Sequence, residues 1–347
     1  MKNIGYNVLK NWIKQGLYLY YGKIKISGLE NVPKDAPVLF LGNHQGALLD
    51  VLLIGVDCNR KPFFLTRSDV FKKPVLKKFF AYLRMIPIYR IRDGRQALKN
   101  NEAVFDQCAE LFRNNHAILM FPEANHNIKR RVRPLSKGFI RILINALEQT
   151  PDLAIHIVPV GLNYKNNGGF PDKVSLIYGE PIIVNTLDAS DNVKGSVNHL
   201  KKAVSDKLKT LTTHIEHEEN YENIVGHLND IGVDYLNPFG TNEVLKNLKI
   251  NNKVTTAKSS TNAFSILFKS IFHILNFPVV LLWRICVKPK VWEPEFMGTM
   301  RFGFSMLIYP IYYLILFIIL ALVWNTLTTL AVVFGLFLFN WAYARFN

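Results

Sequence analysis

Two kinds of apolar patterning divide the chain. From residue 36 to residue 183, short apolar runs alternate with longer amphipathic stretches. The runs predict strands over 37–41, 62–66, 84–88, 117–121, 154–160 and 173–178. The stretches between them predict helices over 47–56, 72–82, 95–114 and 136–149. Strand–helix alternation of this kind implies an α/β fold with a mixed, largely parallel sheet flanked by helices. Ahead of it, Ile4, Val8, Leu9, Trp12, Ile13 and Leu17 form an apolar stripe with Lys2, Lys10 and Lys14 between them. That spacing predicts an amphipathic helix, either packed on the domain or lying at a membrane surface. Lys23 to Ser27 alternates as a strand. Residues 192–217 read as a basic helix, and 218–262 as a polar linker or helical extension broken at Pro238-Phe239-Gly240.

The C-terminal stretch is patterned differently. Phe302 to Val323 and Leu327 to Tyr343 are uncharged and each about long enough to cross a bilayer. Arg284, Lys288, Lys290 and Arg301 precede them and Arg345 follows. The positive-inside bias therefore predicts a transmembrane hairpin with both ends cytoplasmic. Lys269, His273, Asn276 and Pro278 interrupt residues 264–287, which are expected to be interfacial or re-entrant. The resulting division is 1–22, an amphipathic helix; 23–190, an α/β domain; 191–263, an extension and linker; and 264–347, a membrane region. Met1 to Gly22 lacks the pattern of a cleaved leader.

Composition narrows the partners. Lys and Arg number 42 against 26 Asp and Glu, a formal charge of +16. Such a surface attracts nucleic acid, anionic lipid or a phosphate-rich substrate. The apolar C-terminus favours an anionic membrane surface, and no nucleic-acid-binding motif is present. Cys58, Cys108 and Cys286 are too scattered for a disulfide framework or a metal site.

Candidate chemistry begins at Asn43-His44-Gln45-Gly46-Ala47-Leu48-Leu49-Asp50. A strand followed by a helix puts His44 in the turn at the sheet's carboxyl edge, where open α/β sheets keep ligands. Asp50 falls in the first turns of the helix. A carboxylate beside an imidazole makes a base with an orienter, although an isolated pair is more often structural. Three further stretches join it. Met85 to Asp93 ends a strand with Pro87, Arg90 and Arg92, and guanidinium forks suit phosphate oxygens. Ile118 to His126 places Glu123 after Phe121-Pro122. Ile157 to Tyr164 carries Val158-Pro159-Val160.

In this order and spacing, residues 20–185 resemble the glycerolipid acyltransferase family, which includes lysophosphatidic acid acyltransferases. Its pattern is Asn-His-x4-Asp, Pro-x-x-Arg, Phe-Pro-Glu-Gly and Val-Pro-Val. The resemblance implies that His44 and Asp50 are catalytic and that Arg90, Arg92 and Glu123 bind a glycerol-phosphate acceptor. Two departures stand out. Five residues separate His44 from Asp50 instead of four, a spacing found in some similar glycerol-3-phosphate acyltransferases. The extra residue must be taken up in the turn. After Glu123, the usual Gly-Thr-Arg is replaced by Ala124-Asn125-His126, so Asn125 joins the candidate contacts. Lys129, Arg130, Arg131 and Arg133 are expected to replace the missing charge. Lys137-Gly138 resembles the basic-Gly pair that follows this block, making Lys137 the last candidate.

The implied activity is acyl transfer from acyl-CoA or acyl carrier protein to glycerol 3-phosphate or a lysophospholipid. No bound cofactor or metal is expected. Backbone N–H groups near Gly42 and Asn43 are candidate oxyanion donors. The absence of a Gly-x-Ser-x-Gly elbow speaks against a serine lipase. The competing readings are a lipid-to-lipid transacylase and a non-catalytic lipid-binding protein. The implied setting is a membrane, with the catalytic domain on the cytoplasmic face, as in a bacterial inner membrane.

Overall fold

The computed structural model describes residues 2–71, 74–90, 93–186, 193–248 and 263–347. Its centre is β2 (Val38–Gly42), a run buried at every position. No polar side chain interrupts this strand, so both faces are free to pack. It pairs in parallel with β5 (Ala117–Met120) on one side and with β6 (Ile155–Tyr164) on the other. Beyond β5 lie β3 (Phe63–Arg67) and β4 (Met85–Ile88), also parallel. Beyond β6 lie β7 (Asp172–Tyr178), antiparallel, and then β1 (Tyr21–Ser27), parallel to β7. The order is β1-β7-β6-β2-β5-β3-β4, with β8 (Ile182–Val184) antiparallel to the start of β6. The sheet is mixed and mostly parallel, as the alternation of the sequence implies.

Successive strand residues face opposite sides. Leu39, Leu41, Ile118 and Ile157 therefore point to one core, and Val38, Phe40, Leu119 and Val158 to the other. The first core is covered by α5 (Asn101–Arg113), α6 (Gly138–Gln149) and α7 (Val193–Leu211) through Cys108, Phe112, Phe139, Leu143, Val204 and Leu208. The second is covered by α1 (Lys2–Tyr20) and α2 (Leu48–Asp57) through Leu17, Leu49, Leu53 and Ile54. Five parallel strands thus deliver their carboxyl ends to one edge, carrying His44, Arg67, Arg90, Glu123 and Tyr164 there or just beyond it.

Elsewhere the pattern meets tertiary constraints. The helix expected over 95–114 is broken into α4 (Arg95–Leu98) and α5, after α3 (Pro74–Tyr82). The amide of Asn101 explains the break: it is tied to both the N–H and the C=O of Tyr89, at 2.9 and 2.8 Å. Pro238-Phe239-Gly240 opens a helix and does not break one. Pro238 is the first residue of α9 (Pro238–Asn247), which follows α8 (Tyr221–Asp230). A proline there gives up an N–H that would be unpaired anyway. Lys72 and Lys73, Arg92, and most of the Lys/Ser/Thr-rich stretch 246–261 lie outside the described residues.

At the C-terminus, α10 (Ala263–Leu275) meets a second helical segment beginning with α11 (Phe277–Leu282) at a bend of 87°. The break falls at Asn276-Phe277-Pro278. Next come α12 (Phe296–Ala321) and α13 (Thr326–Phe346), both long and apolar enough to cross a membrane. Asn276 is fully buried and exchanges amide hydrogen bonds with Asn340 of α13 at 2.7 and 2.8 Å. Paired amides of this type hold apolar helices together where a lone one would be costly. The hairpin is rooted in the α/β domain, because Phe302 of α12 is part of its second core.

Candidate active site

Asp50 lies in the first turn of α2, where a carboxylate also complements the exposed N–H groups. It has no solvent exposure, yet four donors converge on it. Oδ2 accepts from the N–H of Gln45 at 2.9 Å and of Gly46 at 2.8 Å, and it contacts His44 Nδ1 at 2.8 Å. Oδ1 accepts from the hydroxyl of Tyr164, at the end of β6, at 2.5 Å. Because a carboxylate only accepts, His44 Nδ1 carries the proton of that contact and Nε2 is left as the acceptor.

The turn explains how the unusual spacing is accommodated. His44 precedes α2, and the chain reaches Leu48 through Ala47 at φ 50°, a conformation L-residues rarely adopt. Gly46 is required beside it. A Cβ there would stand 2.7 Å from the Tyr164 hydroxyl and 2.9 Å from Asp50 Oδ1. The His44 ring lies flat on Phe121, centroids 4.0 Å apart and planes 8° apart. His126 meets it edge-on at 5.6 Å. The N–H of Asn127 donates to the His44 carbonyl at 2.9 Å. His44, Asp50 and the Phe121 ring are therefore held in one fixed arrangement.

Glu123 is buried after β5, and Arg133 Nε donates to its Oε2 at 2.7 Å. Burial pushes its carboxyl up to about 7, with Arg133 opposing and Asp50 assisting. Its Oε1 is buried and has no partner among the described residues. A carboxyl that protonates more readily folded than unfolded stabilises the fold most below its unfolded value, near 4.3, and that contribution is lost as pH rises through 7. Glu123→Gln is accordingly expected to melt higher relative to the parent as pH goes from 5 to 8, by up to about 3 kcal/mol in stability. Thermal unfolding in detergent across that range measures it; a constant difference would contradict the assignment.

Arg90 follows β4. Among the described residues its guanidinium makes only long contacts, 3.5 Å to Asp69 and 3.3 Å to Asp93, and its Nε is buried without a partner. Asp69 is held mainly by Arg67, the last residue of β3, at 2.5 Å. That hydrogen bond keeps the Asp69 carboxyl below its ordinary range, against burial. Arg92 lies outside the described residues. Asn125 is exposed, and its carbonyl accepts from Arg133. Lys137 is exposed at the start of α6.

Several expectations need correction. The basic run after Glu123 does not supply free charge. Lys129 and Arg131 pair with Glu218, and Arg133 with Glu123. Arg130 bonds the carbonyls of Tyr164 and Lys165 and stacks on Tyr235 at 3.6 Å. The Asn43 amide is bonded to both backbone groups of Leu162, and the N–H groups of Gln45 and Gly46 are taken by Asp50. The Asn43 side chain and these two N–H groups are thus engaged in holding the turn. Sequence reasoning also missed four contributors: Tyr164, Arg67, His126 and Glu293. His126 Nε2 lies 2.6 Å from Glu293 Oε2 although 167 residues separate them. Among the described residues, His126, Glu293 and Glu295 form the one group of three whose ligand atoms lie within 4.8 Å of one another. All three side chains already have partners: His126 and Glu293 each other, and Glu295 the N–H of Ile128 at 3.2 Å.

Residues 23–163 match the Acyltransferase family model. A chloroplastic 1-acyl-sn-glycerol-3-phosphate acyltransferase of Brassica napus is 28% identical over 136 residues, 39% of this chain and 37% of that protein. The 1-acyl-sn-glycerol-3-phosphate acyltransferase of Borreliella burgdorferi is 26% identical over 164 residues, 47% of this chain and 60% of that one. A glycerol-3-phosphate O-acyltransferase of Saccharomyces cerevisiae is 23% identical over 129 residues, 36% of this chain and 17% of that one. The chain thus spans less than two thirds of each of these relatives. The crystal structure of a 1-acyl-sn-glycerophosphate acyltransferase from Thermotoga maritima matches with a TM-score of 0.41 at 19% identity, covering 60% of this chain and 81% of that one.

Proposed function

We propose, from the premise that residues 23–163 form a domain of the acyltransferase family, that this protein is a membrane O-acyltransferase. It moves a fatty acyl group from a thioester, acyl-CoA or acyl carrier protein, to a hydroxyl of glycerol 3-phosphate or a lysophospholipid. The observation that carries this reading is the His44–Asp50 pair, which engages Nδ1 and leaves Nε2 of His44 as the nitrogen to accept a proton. His44 takes the proton of the acceptor hydroxyl while that oxygen attacks the thioester carbonyl. The C–O bond forms, the C–S bond breaks, and His44 returns the proton to the departing thiolate. Asp50 orients the ring and stabilises the transient imidazolium. Base assistance of this type is worth roughly 10²–10⁴ in rate.

Arg90 takes the acceptor's phosphate, exchanging its long contacts for charge-assisted ones. Glu123, with one buried oxygen unpartnered, receives an acceptor hydroxyl. Arg92 is assigned to the same phosphate. Asn125 and Lys137, exposed on the loop that leaves β5, are assigned to the rest of the acceptor. The two apolar helices anchor the domain in a bilayer. Arg301 near the start of α12 donates to the Gly168 carbonyl, and Tyr343 near the end of α13 packs beside Phe170. Both ends of the hairpin thus meet the basic domain, which supports a common, cytoplasmic side for them.

The test is an acceptor screen with purified full-length protein and one labelled acyl-CoA, read by mass spectrometry of the lipids. Transfer to a glycerophosphate acceptor is expected, and Arg90→Ala is expected to raise that acceptor's KM by about 10-fold or more. Transfer from a phospholipid alone would make the protein a transacylase. An unchanged KM would remove Arg90 from the phosphate.

A further inference from the structure

The stretch that enters and begins α12 lies far outside the segment that matches the family model, yet it makes five contacts with the turn at His44–Asp50 and the loop after β5. Glu293 bonds His126, and Glu295 accepts from the N–H of Ile128. Gly298 abuts Leu49, leaving only 2.9 Å between a Cβ there and Leu49 Cδ1. The Thr299 hydroxyl donates at 3.2 Å to the carbonyl of Gly46, whose own N–H holds Asp50. Phe296 adds an edge contact to His126 at 4.9 Å.

His44 therefore stands against two walls of different origin. Phe121, from the α/β domain, supports its face. His126 confronts it edge-on and is itself held by a carboxylate from the root of the apolar hairpin. The loop carrying His126 is tied to both sides, Asn127 being bonded to the His44 carbonyl and Ile128 to Glu295.

We propose that Glu293 is a positioning residue of the active site: by fixing His126 against His44, it makes the root of the hairpin part of the catalytic structure. The proposal rests on the acyltransfer reading above. Glu293 touches no reacting atom, so its loss should slow turnover without weakening substrate binding. A base displaced by a fraction of an ångström loses rate steeply.

The experiment compares full-length parent, Glu293→Gln, His126→Asn and the double variant in phospholipid micelles, with His44→Ala as control. Glu293→Gln is expected to lower kcat about tenfold while both KM values stay within about twofold. In the double variant, Glu293→Gln should add nothing to the loss from His126→Asn, since neighbours acting through one contact are not additive. Glu293→Asp, which keeps the charge, should recover part of the rate. Independently of turnover, ¹⁵N-histidine spectra should show the His44 imidazole signals, identified by their absence in His44→Ala, shifted by Glu293→Gln. Unshifted signals overturn the proposal. So do an unchanged kcat where the parent's activity depends on His44, and an equal loss in both His126 backgrounds. Loss of activity in chelator, restored by Mg²⁺ or Mn²⁺ only when His126 is present, would make the three side chains a metal site and likewise overturn it. If no acceptor in the screen is acylated, the functional reading falls, and the imidazole spectra still decide the positioning.

Discussion

His44→Ala should reduce acyl transfer by roughly three orders of magnitude while the protein melts close to the parent temperature. The loss follows from geometry. Nε2 is the only nitrogen of the ring left to accept a proton, since Nδ1 is engaged by Asp50. The fold should survive because Asp50 keeps three other donors, from Gln45, Gly46 and Tyr164. No buried carboxylate is thereby left unpaired, the circumstance that makes such truncations costly. The measurements are kcat with a saturating thioester and the thermal transition in the same detergent. Near-normal turnover would take the base role away from His44 and, with it, the main support for thioester chemistry.

What could be read in advance and what could not divides along physical lines. Apolar runs at strand period located β2, β5 and β6, because a strand buried on both faces has no freedom in its side chains. The turn after β2 was also legible: the extra residue between His44 and Asp50 had to be absorbed there, and Ala47 at φ 50° takes it up. Contacts across the chain were not. Tyr164 closes on Asp50 from 114 positions away, and Glu293 on His126 from 167. Neither has a local signature, although Tyr164 sits at the end of the strand carrying Val158-Pro159-Val160. The charge of the 129–133 run was visible, but its employment was not. Arg130 and Arg133 serve buried acceptors in the same domain, a role that sequence alone does not distinguish from phosphate binding.

Asp50→Asn is the companion substitution and the sharper one. The amide has nearly the same shape, and its NH₂ brings two N–H donors, one of which can point at Tyr164. If the NH₂ turns toward Tyr164, that hydroxyl can accept instead of donate, and the remaining oxygen still receives Gln45, Gly46 and His44. The scaffold is therefore expected to hold, with a melting temperature near that of the parent. What is lost is the negative charge facing His44 while it carries the acceptor's proton. An Asp-to-Asn change at the equivalent position of a serine-protease triad costs about 10⁴ in turnover. Here, with Asp50 wholly buried and no other carboxylate in contact with His44 among the described residues, roughly 10³–10⁴ is expected in kcat, with little change in either KM. Saturation kinetics on folded protein measure both. A variant keeping more than about a tenth of parental kcat would mean that Asp50 only braces the turn at the start of α2, and that the imidazolium is stabilised by something other than this carboxylate.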